Sequence, residues 1–330
     1  MKPKDTSAHY LLSSSPHAHA KISVRRMMLD VIIALVPALA CALWFFGLPA
    51  LWLVVTCVAS AVATEAVCRK LMGRQQTIGD LSAVLTGLLL AFNLPPTLPL
   101  WMAAVGSAFA ITIAKQVFGG LGYNPFNPAL AARAFMLISF TGAMTTWTPS
   151  GWIAGIGANG VDAVTSATPL SMLTKGVPHE MANSLLAKTL FVGNVNGCVG
   201  EVSSLALLVG AAYLLFRKVI TWHVPVSFLG AMFAFAFFKY GANAEALKFA
   251  ELHVFAGGAI LGACFMATDY VTSPITAKGK LIFGAGCGLL TMLIRLAPAY
   301  PEGTSFAILT MNAICPLINR WTQPKPFGRK

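Results

Sequence analysis

The chain is dominated by long apolar runs separated by short polar or basic segments. About 20 apolar residues in a helix cross the roughly 30 Å hydrocarbon core of a bilayer. The runs predict ten membrane spans, at residues 28–46, 49–68, 80–94, 98–118, 127–145, 203–219, 222–240, 251–268, 280–297 and 303–320. The third run is short and ends in Asn-Leu-Pro-Pro at 93–96, a strong helix stop. The predicted fold class is therefore all-α integral membrane.

Composition supports the same class. Hydrophobic residues make up 57% of the 330 residues and charged residues only 10%, whereas soluble domains carry about 25% charged residues. So little polar surface excludes a large soluble α/β enzyme. The net charge of +12 does not indicate a nucleic-acid partner, because the basic residues fall between apolar runs in the positive-inside pattern.

The distribution of Lys and Arg predicts the orientation in the membrane. With the N-terminus in the cytoplasm, 17 of these residues fall on the cytoplasmic side, Lys115 among them, and five fall outside, Arg295 among them. Arg133 falls within a span. An even number of spans then places both termini in the cytoplasm. No cleavable signal peptide is evident, so the first apolar run is expected to remain as a span.

One long segment without spans, residues 146–202, is predicted to lie outside and divides the chain. The predicted parts are a cytoplasmic segment 1–26, a first five-helix half 27–145, the outer loop 146–202, a second half 203–321 and a cytoplasmic tail 322–330. Because five is odd, the two halves have opposite topology, as in inverted-repeat transporters. Large apolar residues in the loop, such as Trp152 and Phe191, indicate that it packs on the rest of the protein.

Metal chemistry has little support in the sequence. None of the seven cysteines forms a Cys-x-x-Cys pair, so no zinc or iron–sulfur signature is present. One cysteine donated to a cluster shared with a partner stays open. The sequence Gly-Gly-Leu-Gly at 119–122 is not a nucleotide fingerprint. It indicates either a broken-helix start capped by Asn124 and Asn127 or close packing of small residues.

The outer loop contains Asp162-Ala-Val-Thr165-Ser166-Ala167-Thr168. Alone, this pattern is equally typical of a turn or a helix cap. It also resembles the flavin-attachment motif Asp-x-x-Ser/Thr-Gly-Ala-Thr of the NqrB/RnfD family, with Ser166 in place of the usual Gly. That resemblance implies FMN esterified through its phosphate to Thr168 by a flavin transferase. Asp162 and Thr165 would then serve transferase recognition or loop folding.

The resemblance to this family extends over almost the whole chain. Ordered matches include Asn-Pro-Phe-Asn-Pro-Ala at 124–129, Met-Ala-Thr-Asp at 266–269 and Tyr-Pro-Glu-Gly at 300–303. The family implies a urea-transporter-like inverted repeat of two five-helix halves. It also implies a flavoprotein subunit that relays electrons in an Rnf-type complex of the bacterial inner membrane, coupling ferredoxin and NAD redox chemistry to Na⁺ or H⁺ movement.

The resemblance also implies partners and a second cofactor. The partners would be Rnf-type subunits that carry iron–sulfur clusters and flavins, and riboflavin could bind near the cytoplasmic side. Three alternatives stay open: an NqrB-like quinone-reducing subunit, which is usually longer, a solute channel without redox role, and a structural anchor of the complex.

Ionisable residues inside spans are costly and therefore indicate function. Arg133 is predicted to hold a flavin, to pair with an acid, or to extend to the cytoplasmic edge. Asn127 and Glu201 are further candidates for cofactor contact. Asp80 and Asp269 are candidates for the ion path or plain helix-end charges.

Overall fold

The computed structural model describes residues 23–147, 170, 189–193, 195–297 and 302–324. All regular secondary structure in these residues is helical. The helices are α1 (Val24–Phe46), α2 (Leu48–Leu71), α3 (Ser82–Phe92), α4 (Leu100–Ile111), α5 (Pro128–Ser139), α6 (Thr141–Met144), α7 (Ser204–Phe216), α8 (His223–Lys239), α9 (Ala244–Phe255), α10 (Ala259–Leu261), α11 (Ala277–Leu296) and α12 (Thr304–Thr322). Short 3₁₀ helices cover Ile78–Asp80 and Val199–Glu201.

Two helices continue into wider π-helical turns. Thr112–Gln116 extends α4, and Gly262–Met266 extends α10. In each, an amide bonds the carbonyl five residues earlier, Val117 to Thr112 at 3.0 Å and Ala267 to Gly262 at 2.7 Å. Such turns are rare and occur frequently at functional sites.

Three described helices, α1, α2 and α11, are each long and apolar enough to cross a membrane. The pair Glu245–Phe255 and Ala259–Met266 adds a fourth span if its two parts are counted together. Five shorter apolar helices are Ser82–Phe92, Leu100–Gln116, Pro128–Ser139, Ser204–Phe216 and His223–Lys239. This is the architecture of a multi-pass membrane protein. Each of the ten predicted spans overlaps a helix, but the number of spans stays a prediction.

The prediction of one continuous helix for the eighth span, 251–268, is wrong. The chain bends by 64° between α9 and α10. Gly257 lies at the break with a φ of +68°, a conformation that favours glycine. The predicted third span is short, as expected, because α3 ends at Phe92, immediately before the Asn-Leu-Pro-Pro stop.

Glycines allow helices of the second half to approach closely. Gly284 and Gly288 of α11 face α8, and a Cβ on Gly284 would lie 2.7 Å from the carbonyl oxygen of Val224. A Cβ on Gly288 would overlap the carbonyl of Phe228. Small residues four apart are a common device for packing membrane helices. The two halves also meet, since α1 packs on α7 and Arg217 pairs with Asp30 at 3.3 Å.

Described residues of the outer loop pack against α9, which confirms the expectation for Phe191. Its ring lies 5.7 Å from that of Phe255 in an edge-to-face contact. Leu170 and Leu190 are buried in a cluster with Phe249, Leu252 and Ala256. Trp152 lies outside the described residues. The described residues of the loop therefore pack on α9, the helix that precedes the break.

We expect Gly288→Val to destabilise the protein by about 1–3 kcal/mol, because the added side chain has no room against α8. Gly230→Val is the matched control, since a Cβ on Gly230 meets nothing within 4 Å. Thermal unfolding of the purified chain in detergent, followed by size-exclusion chromatography, measures both. Equal melting temperatures for the two variants would contradict this packing.

Candidate functional site

The C-terminal ends of two short helices, α3 and the extended α10, lie close together inside the bundle. Asn93 follows α3, and its amide nitrogen lies 3.5 Å from the Met266 sulfur at the end of the α10 extension. The amide of Asn127 donates to the Met266 carbonyl at 3.2 Å. Because the last carbonyls of a helix lack partners within it, such ends need donors from elsewhere. Buried amide side chains supply them here.

Asn127 also begins α5, as the sequence predicted. Its Oδ1 accepts from the amides of Ala129 at 3.1 Å and Leu130 at 3.4 Å. Asn124, the other predicted cap, instead donates to the carbonyl of Phe126 at 3.0 Å. The N-terminus of α5 therefore meets the end of α10 through a single side chain.

Arg133, on α5, is buried at this junction with 5% of its surface exposed. Its guanidinium donates to Asn93 Oδ1 and to the Glu302 carboxylate. It lies 3.9 Å from Glu201 Oε1 and 3.6 Å from the sulfur of Cys198. The alternative in which Arg133 pairs with an acid is confirmed, and extension to the cytoplasmic edge is wrong, because two carboxylates hold the charge inside.

Cys198, Glu201 and Glu302 could also hold a metal, since one donor atom of each lies within 4.8 Å of the others. The guanidinium of Arg133 already contacts the Glu302 carboxylate of that set, so a metal ion would have to displace a fixed cation. Gly258 leaves room for the acids, because a Cβ there would lie 2.9 Å from Glu302 Oε1. Among the described residues, Oε1 of Glu201 and Oε1 of Glu302 have no hydrogen-bond partner.

Sequence reasoning missed the role of Arg295, which it counted as an outer loop charge. This residue lies in the last turn of α11 and is fully buried. It donates to the carbonyls of His253 at 2.5 Å and Ala256 at 2.9 Å, and so holds the end of α9. A cation at a helix C-terminus compensates the helix dipole. A Cβ on Gly257 would lie 3.3 Å from Arg295 and 3.1 Å from Leu170, so the loop meets Arg295 at the break.

A third buried cation, Lys115, was counted as a cytoplasmic charge. It lies inside the protein with 1% of its surface exposed. Its ammonium contacts Glu65 at 3.1 Å and 3.2 Å and donates to Ser82 Oγ at 2.6 Å. Ser82 in turn donates to Asp80 at 2.6 Å. Glu65 lies within the predicted span 49–68, so the rule for ionisable residues in spans could have found it.

A cavity of about 80 Å³ lies beside Lys115 and Ser82. It is lined from the first half by Ser82, Lys115, Asn124 and Asn127 among others, and from the second half by residues that include Cys264, Thr268 and Asp269. Asn124 Oδ1 is buried and has no hydrogen-bond partner among the described residues. Of the two predicted ion-path acids, Asp269 lines the cavity and Asp80 bonds Ser82, which lines it.

The predicted flavin-loop residues Asp162, Thr165, Ser166, Ala167 and Thr168 lie outside the described residues. Of the other predicted cofactor residues, Arg133 and Glu201 lie together in the buried cluster, and Asn127 lies between that cluster and the cavity. The structure adds Asn93, Cys198 and Glu302 to the first group and Glu65 and Lys115 to the second.

A single family model, described as the NQR2, RnfD, RnfE family, matches residues 11–328. The chain belongs to this family. It is 50% identical over 319 residues to the D subunit of the Na(+)-translocating ferredoxin:NAD(+) oxidoreductase complex of Acetobacterium woodii, a match that covers 96% of this chain and 95% of that protein.

Two further relatives in the family carry similar names. The D subunit of the proton-translocating ferredoxin:NAD(+) oxidoreductase complex of Clostridium ljungdahlii is 43% identical, with 97% of each chain covered. The D subunit of the ion-translocating oxidoreductase complex of Citrobacter koseri is 37% identical, with 97% of this chain and 99% of that protein covered. The family resemblance expected from the motifs is confirmed.

We expect Lys115→Met to lower the free energy of unfolding by about 3–5 kcal/mol, because it leaves Glu65 buried without its cation. Lys278→Met is the control, since Lys278 is exposed near the start of α11. The melting temperature of the purified chain in detergent measures the difference. A Lys115→Met protein as stable as the control would contradict a structural role for this pair.

Proposed function

We propose that the chain is the D subunit of an Rnf-type ion-translocating ferredoxin:NAD⁺ oxidoreductase complex. The carrying observation is identity of 37–50% over nearly the full length with relatives that bear this name. The chain is a membrane subunit of an oxidoreductase and translocase, and its partners are the other subunits of the complex. Those partners carry iron–sulfur clusters and flavins, through which this chain exchanges electrons.

In this proposal the chain lies in the bacterial inner membrane with ten spans and both termini in the cytoplasm. Residues 27–145 and 203–321 form an inverted repeat, and the loop 146–202 is periplasmic. The meeting of α3 and α10 by their C-terminal ends supports this arrangement, because halves of opposite topology bring corresponding short helices together from opposite sides. The counts of Lys and Arg support the orientation.

FMN is attached to Thr168 by a phosphoester that a flavin transferase makes. The described residue Leu170, two residues after Thr168, supports a position of the flavin close to the buried cluster of Arg133, Glu201 and Glu302. Two residues span at most about 7 Å, and Leu170 is buried at the break beside Gly257. Bound FMN supplies one-electron redox chemistry. The chain's own part is to hold it, with the Thr168 hydroxyl as the ester oxygen and Glu201, whose Oε1 lies 3.9 Å from Arg133, as a nearby carboxylate.

In this proposal Arg133 holds the acids next to the flavin and does not bind the FMN phosphate. Its guanidinium donates to Asn93 and Glu302, so its charge is already balanced. The attachment motif is completed by Asp162, Thr165, Ser166 and Ala167. The transferase recognises this motif from the periplasm. A covalent link retains the cofactor where free flavin is scarce.

The cavity at the cytoplasmic side holds a second, non-covalent flavin, riboflavin. Its lining combines apolar side chains with a few polar ones, as ligand sites commonly do. The free Oδ1 of Asn124 is a hydrogen-bond acceptor that a ring N–H of the ligand would satisfy. Asn127 and Thr268 are further polar residues of the lining.

Asp80 and Asp269 serve the cytoplasmic end of the ion path. Asp269 lines the cavity, and Asp80 is linked to Lys115 through Ser82. The transported ion is Na⁺ or H⁺. The relatives named for each ion are 50% and 43% identical to the chain, so overall similarity does not select between them.

We expect Thr168→Val to remove covalent flavin, because the variant lacks the hydroxyl that forms the ester. In-gel flavin fluorescence after denaturing electrophoresis, with expression in the native host, measures the loss. Thr174→Val, which removes a threonine hydroxyl outside the motif, is the matched control and should stay fluorescent. A dark native band, with the transferase active on another target, would reject the covalent flavin and favour a solute channel.

We expect Asn124→Ala to lower the content of non-covalent flavin at least about tenfold in the purified complex, since buried polar contacts orient such ligands. Gln75→Ala, which removes an exposed amide, is the control. Flavin released by acid precipitation is quantified by chromatography. Riboflavin retained in full by Asn124→Ala would place it elsewhere in the complex.

A further inference from the structure

A line of contacting residues leads from the cavity to the acids Glu201 and Glu302. Asn127 lines the cavity and donates to the Met266 carbonyl at 3.2 Å. The Met266 sulfur lies 3.5 Å from the amide of Asn93. Asn93 then accepts from Arg133, which contacts Glu302. Residues of both halves contribute to this line.

Several groups along the line carry oxygens that attract cations. The Met266 carbonyl and Asn93 Oδ1 are oxygen acceptors, and Oε1 of Glu201 and Oε1 of Glu302 have no hydrogen-bond partner among the described residues. Carbonyl oxygens and rings of carboxylates are the groups from which cation pathways are built. Without a fixed positive charge, the line would connect the cavity to the outer acids through cation-binding groups.

Arg133 provides that positive charge. Its guanidinium contacts both Asn93 and Glu302, so it stands between the inner carbonyls and the outer acids. An arginine in a protein does not lose its proton. A cation that reaches Asn93 from the cavity therefore meets a buried like charge, and such repulsion is strong where water is excluded.

We propose that Arg133 is a cation barrier that closes the bundle between the cytoplasmic cavity and the outer acids. Membrane pores exclude cations and protons with a fixed arginine by the same electrostatic principle. A membrane subunit of a pump gains from such a barrier, because an open line would dissipate the ion gradient. The inference rests on the membrane location of the chain and not on its flavins.

A purely structural role for Arg133 predicts a different result. Arg133→Gln and Glu302→Gln break the same contact, so loss of structure would affect ion leakage in both. The barrier requires only the cation. Glu302→Gln keeps Arg133 beside Glu201, whereas Arg133→Gln leaves both acids without the cation that contacts Glu302. The two variants therefore separate charge from packing.

The test is passive uptake of ²²Na⁺ and of protons by proteoliposomes that contain the whole complex, without ferredoxin or NAD. Arg133→Gln should raise the rate for at least one of the two cations roughly tenfold or more. Arg133→Lys, which keeps the charge, and Glu302→Gln should stay within about twofold of the native complex. Liposomes without protein give the background.

Equal leakage in Arg133→Gln and Glu302→Gln would overturn the barrier, as would an Arg133→Gln complex that stays closed to both cations. If Arg133→Gln does not assemble, Arg133→Gln with Glu302→Gln replaces it, because that variant leaves fewer unpaired charges. It should leak like Arg133→Gln, and a closed complex would reject the inference. Since no redox substrate is present, a failure of the electron-transfer proposal leaves this measurement unchanged.

Discussion

The cost of placing a charge away from water governs the interior of this protein. A buried cation is stable only where its partners lie at contact distance and its hydrogens are bonded. Arg133 meets this requirement with two acids and an amide, and Lys115 meets it with one acid and a serine hydroxyl. Arg295 uses backbone carbonyls at the end of α9. Each solution fixes elements that are distant in sequence.

These three cations organise the regions on which function depends. Arg133 joins α5 to the end of α3 and to the residues before α12. Lys115 lies at the wall of the cavity, and Arg295 stabilises the break on which the outer loop rests. Arg295 therefore lies near the proposed flavin site and Lys115 beside the cavity. Arg133 lies in the closed part of the bundle between them.

The apolar runs alone predicted the positions of the helices, because a helix that crosses a bilayer needs a long apolar segment. They could not predict the break at Gly257, since an apolar run has the same composition whether it is straight or bent. Counting Lys and Arg assigned Lys115 to the cytoplasmic side and Arg295 to the outside, because the method assigns charges near span ends to water. Their partners are far along the chain, with Glu65 50 residues before Lys115. Arg133 and Glu201 were found because one lies inside a predicted span and the other at the edge of the loop.

The two π-helical turns, Thr112–Gln116 and Gly262–Met266, have a consequence for how the family can vary in length. A π turn holds about one residue more than an α-helical turn, so the helix on either side keeps its phase although one residue is extra. A relative that lacks one residue of Thr112–Gln116 would therefore have a regular turn there, with the helix apolar and continuous. Hydropathy would not register such a deletion. Alignments of relatives at these two turns are therefore where a gap of one residue has the greatest structural meaning.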